Sequence, residues 1–79
     1  MFFQLFSMLG LGNQGHKRAA FAAREKFSAA HPEEPIAWVE IAEEETDRFT
    51  VGVHHGQKHP KECQYFSVDK ETFKASEIN

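Results

Sequence analysis

His54, His55, His59 and Cys63 stand within one ten-residue stretch, and Cys63 is the only cysteine of the chain. Imidazole and thiolate together are the donor set that zinc prefers. His55, His59 and Cys63 recur at every fourth position, which aligns them only on a helix. Gly56 and Pro60 oppose a helix there. On a strand, His54 and His55 point to opposite faces. The stretch is therefore read as a polar loop with incidental histidines. A metal- or small-ligand-binding accessory role through loop 54–63 stands as the alternative function. No metal ligand and no cofactor is assigned.

Cys63 beside a histidine is also a formal nucleophile–base pair, but such chemistry needs an oriented base and an oxyanion site. No residue pattern supplies the second, so a structural thiol is expected. Glu43, Glu44, Glu45 and Asp47 crowd what reads as a hairpin tip, where solvation keeps carboxylates from acid–base work. The chain has no phosphate-cradling glycine loop, serine elbow or dinucleotide fingerprint. A non-enzymatic protein is expected, with no catalytic residue.

The elements that position these groups follow from periodicity. Phe49, Val51 and Val53 alternate with Thr50, Gly52 and His54, the pattern of a half-buried strand. Stretches 36–43 and 63–69 repeat the habit. Upstream, residues 16–31 are Ala-rich and predict a helix, with Ala20, Ala23, Phe27 and Ala30 on one stripe. His31-Pro32 ends it, because the residue before a proline avoids the helical region. The expectation is an α+β domain over residues 16–79: one helix on a three-stranded antiparallel sheet, in the order αβββ. A short extended piece, 73–78, follows the third strand.

A turn at Glu44-Glu45-Thr46 would pair Ile41 with Phe49, Val39 with Val51, and Trp38 with Gly52. The indole would then cover a bare glycine backbone, a known protection for glycine in sheets. Ala37, Val39, Ile41, Phe49, Val51, Val53, Phe66 and Val68 are expected to face the helix. Residues 1–15 read as an apolar segment with a glycine-rich linker, broken at Gly10, Gly12, Asn13 and Gly15.

Seventy-nine residues make one domain with a thin core. A net charge of −3, with scattered basic residues, argues against nucleic acid. The apolar stretch 1–12 is too short to span a membrane, and no basic n-region precedes it, so a cytoplasmic protein is expected. A single helix covers one sheet face only. Ile36, Trp38, Gly52, Cys63 and Tyr65 are expected on the other and form the candidate interface. Trp and Tyr are enriched at interface hot spots. Self-association as a homodimer, or binding of a protein partner, is the expected function.

The helix string Ala22-Ala23-Arg24-Glu25-Lys26-Phe27, the strand Arg48-Phe49-Thr50-Val51-Gly52-Val53 and the segment Tyr65–Thr72 together resemble small PepSY-like domains. More broadly they resemble the cystatin-like shape of one helix on an antiparallel sheet. The resemblance covers residues 19–78 and implies an inhibitory or regulatory binding role. The chain has Phe73 where such domains often carry glycine. It also lacks the Gln-x-Val-x-Gly of cystatin inhibitors, keeping only Val51-Gly52. No site residue is transferred.

Overall fold

The computed structural model describes residues 2–58 and 61–78, with side chains from Gly15 onward. Helix α1 (Phe2–Ala30) precedes four strands: β1 (Ile36–Glu44), β2 (Arg48–His55), β3 (Glu62–Asp69) and β4 (Ala75–Ile78). The strands form one antiparallel sheet in the order β1-β2-β3-β4, and α1 lies across one face. The α+β class is as expected. The sheet has four strands rather than three, because the extended tail pairs with β3 through Val68↔Ala75 and Tyr65↔Ile78. The expected break at Gly10, Gly12 and Gly15 does not interrupt α1. The side chains of the apolar segment 1–12 lie outside the described residues.

The core forms where the helix meets the strands' inward files. Ala19, Ala23 and Phe27 of α1 are buried against Phe49, Val51, Val53, Phe66, Val68 and Ala75. The buried stripe of α1 thus steps by four residues through Ala19, not through Ala20 and Ala30, which lie at the edge and in solvent. Gly15 continues the stripe, and a Cβ there would stand 3.6 Å from the Phe49 ring. Small side chains let the helix approach the sheet closely, and Phe27 fills the wider end. Its ring rests on His55, with centroids 4.6 Å apart.

The β1–β2 hairpin differs from expectation in register throughout and in facing only at the start of β1. Its turn spans Glu45–Asp47, closed by the Glu45 N–H donating to the Arg48 carbonyl at 2.8 Å. A bulge interrupts β1 between Ile41 and Glu43. Together they place Ile41 opposite Val51 and Val39 opposite Val53, two residues from the expected partners. An even displacement preserves faces, because strand side chains alternate with period two. Val39 and Ile41 therefore still pack against the core. A second bulge, between Ile36 and Trp38, has the opposite consequence. It pairs Ile36 with His55 and turns Ile36 to the helix side, where it too packs on the core. Ala37, expected inside, is exposed at this bulge.

Two tight structures fix the far end of the sheet. The Asp69 carboxylate accepts from the Glu71 and Thr72 N–H groups at 2.7 and 3.1 Å, forming the β3–β4 turn. Phe73 leaves that turn at φ 56°, a left-handed conformation that glycine adopts without strain. Its ring packs against the core, with the Arg18 guanidinium 4.0 Å from its centroid. Glu44 ties three elements together, meeting His16 of α1 at 3.0 Å and Lys70 of the turn at 2.8 Å. No described helix is long and apolar enough to cross a membrane.

Candidate functional site

The site lies on the sheet face that α1 leaves bare. Cross-strand pairing builds it in two rows. Trp38, His54 and Cys63 form one row over β1, β2 and β3. Glu40, Gly52, Tyr65 and Ile78 form the next, reaching β4. Each row is set by register alone, because directly opposed residues share a face.

The expected pairing of Trp38 with Gly52 does not occur. Trp38 instead lies on the His54 imidazole, with centroids 4.3 Å apart and planes 15° from parallel. Tyr65 takes the covering role over Gly52. A Cβ at position 52 would meet Tyr65 Cε1 and Cys63 Sγ at 3.1 Å each, so this buried position fits only glycine without adjustment. Of the five candidate interface residues, Trp38, Gly52, Cys63 and Tyr65 share the open face, while Ile36 belongs to the helix side. Ile78 joins them as Tyr65's partner on β4. The large side chains remain accessible, at 50% for Trp38, 41% for Tyr65 and 39% for Ile78.

The histidines separate as strand geometry requires. His55 turns under the helix end, and its Nδ1 meets Glu34 Oε2 at 2.8 Å. His54 turns to the open face. Its Nε2 lies 2.9 Å from Glu40 Oε2 and 3.7 Å from Cys63 Sγ. One donor atom from each of Glu40, His54 and Cys63 lies within 4.8 Å of the other two. The pair His54 and Cys63 is therefore a feature of two paired strands, not of a loop. His59 lies outside the described residues.

This grouping differs from a nucleophilic triad. In a triad the base meets the nucleophile through one ring nitrogen and the orienting carboxylate through the other. Here the carboxylate and the thiol both face Nε2. Tyr65 adjoins the same cluster. A side-chain hydrogen bond with Cys63, then the charge of that group, raises the phenol above its ordinary pKa, with smaller contributions from burial and from Glu40. The meeting of Glu40 with His54 has no signal in the sequence, since it depends on a register displaced by the turn and a bulge. Sequence reading also missed Ile78.

Comparison with protein-family models, curated proteins and solved structures finds no match to the chain.

Proposed function

We propose that this protein is a non-enzymatic interaction domain whose uncovered sheet face packs against the same face of a second copy. The observation that carries the reading is the half-exposed series Trp38, Tyr65 and Ile78, which crosses the face opposite the helix. Contiguous exposed apolar groups mark contact surfaces, and Trp and Tyr dominate the energetics of such contacts. A second copy is the favoured occupant for two reasons. A core with nine buried hydrophobic residues among those described, six of them Ala or Val, gains much from further burial. Twofold dimers are also the commonest assemblies of soluble chains.

The resemblance to PepSY-like and cystatin-like domains, with its implied binding role, points the same way. A catalytic reading lacks the divided His54 contacts that a triad uses. The reading of 54–63 as a ligand-binding loop is replaced by the strand cluster of Glu40, His54 and Cys63.

Sedimentation equilibrium tests the proposal. The protein is expected to sediment as a dimer, with Trp38→Ala and Tyr65→Ala shifting it toward monomer while the melting of the monomer is retained. A wild-type monomer across the accessible concentration range would overturn it.

A further inference from the structure

We infer that Glu40, His54 and Cys63 form a binding site for a zinc-class divalent transition-metal ion. The three donors come from three chain segments, yet each lies within 4.8 Å of the others. They comprise carboxylate oxygen, imidazole nitrogen and thiol sulfur, the three ligand types that zinc accepts. For zinc–nitrogen and zinc–sulfur bonds of roughly 2.0 and 2.3 Å, a tetrahedral nitrogen–sulfur edge is about 3.5 Å. The observed distance between His54 Nε2 and Cys63 Sγ is 3.7 Å. The carboxylate oxygen stands 2.9 Å from the same nitrogen, slightly closer than such an edge.

The surroundings suit a metal centre. The His54 side chain is 17% exposed, so its ring is held while solvent still reaches the cluster. Trp38 lies flat on that ring and limits its rotation. Three protein ligands leave a fourth position for water or an incoming group, the arrangement of open rather than closed zinc sites. Binding requires the thiolate, so the Cys63 proton leaves to solvent as the metal–sulfur bond forms. The ligands sit on paired strands, which fixes their separation more firmly than a loop does.

The site lies on the face proposed for self-contact, and two separate readouts distinguish the claims. Sedimentation in chelator reports on the dimer, and metal spectroscopy reports on this site. The direct test is titration of the full, reduced chain with cobalt(II), followed by competition with zinc. The expected result is a thiolate-to-cobalt charge-transfer band that saturates at one ion per chain, with parallel quenching of the single tryptophan, Trp38.

Cys63→Ser should abolish the band. Loss of even an outer partner of a zinc ligand costs roughly 10- to 100-fold in affinity, so His54→Gln should weaken zinc binding by at least that much. Glu40→Gln serves as a third, exposed variant whose folding is the least at risk. His16→Gln, outside the cluster, should bind as the wild type does. Absence of the band, or binding unchanged in Cys63→Ser and His54→Gln variants that still melt cooperatively, would overturn the inference.

Discussion

Trp38 and His54 are stacked across the β1–β2 pair, ring over ring at 4.3 Å. The contact joins the exposed indole to His54, which faces the open side of the sheet. It also places the protein's only tryptophan directly beside the Glu40–His54–Cys63 cluster. Aromatic pairs of this kind contribute about 0.5–1.5 kcal/mol beyond area burial. A double-mutant cycle on Trp38→Ala and His54→Ala, read by urea unfolding in chelator, should return a coupling in that range. Additive effects within about 0.3 kcal/mol would mean that the stack holds neither ring.

Among the described side chains of α1, Phe27 is the one large group in the core, with 2% of its surface exposed. Its neighbours on the helix stripe are alanines, so nothing adjacent can fill the space it leaves. Phe27→Ala should cost about 3–5 kcal/mol, measured by denaturant unfolding. In a domain of this size that is a large share of total stability. A cost below about 1 kcal/mol would place the helix elsewhere on the sheet.

Two surface carboxylates should shape the acid limb of stability. Hydrogen bonds from Lys70 and then His16 lower the Glu44 pKa below its ordinary 4.5. The N–H groups of Thr72 and then Glu71 lower that of Asp69 below 3.8. A carboxylate depressed in the folded state stabilises it fully above the unfolded value. That contribution disappears as pH falls through the folded value. The melting temperature should therefore hold near neutral pH and begin to fall below about 4.5. In a Glu44→Gln, Asp69→Asn double variant the acid decline should be shallower, since Asn keeps an acceptor for the turn without a charge. An acid limb identical to the wild type's would contradict these roles.

The alternation of Phe49, Val51 and Val53 was readable because a strand half-buried by a helix imposes period two on its side chains. The same reasoning found the inward files of β3. Registers were harder, because neither bulge in β1 leaves a mark in the hydrophobic pattern. The bulge near Ala42, together with the displaced turn, moved the partners of Trp38 to Ile41 by two while leaving Val39 and Ile41 on the same face. The one near Ala37 carried Ile36 to the other side.

The helix stripe was misphased through Ala20 because alanines occupy several sides of α1, leaving little contrast to choose between them. The fourth strand, Ala75–Ile78, is short and half polar, and only its pairing with β3 identifies it. The cluster of Glu40, His54 and Cys63 was hidden for the same reason as the register that assembles it. Phe73 shows a local rule overridden by packing, since its ring beside the core and under Arg18 holds the backbone in a glycine-like conformation.

Trp38 reports directly on the self-contact proposed for the bare sheet face. Acrylamide quenching of its fluorescence, measured from dilute to concentrated protein in chelator, separates a shared face from a free one. The expected result is an indole that is accessible in dilute solution and progressively shielded as concentration rises, in step with sedimentation. Quenching that stays the same at every concentration would show that this face remains free and that the protein does not pair through it.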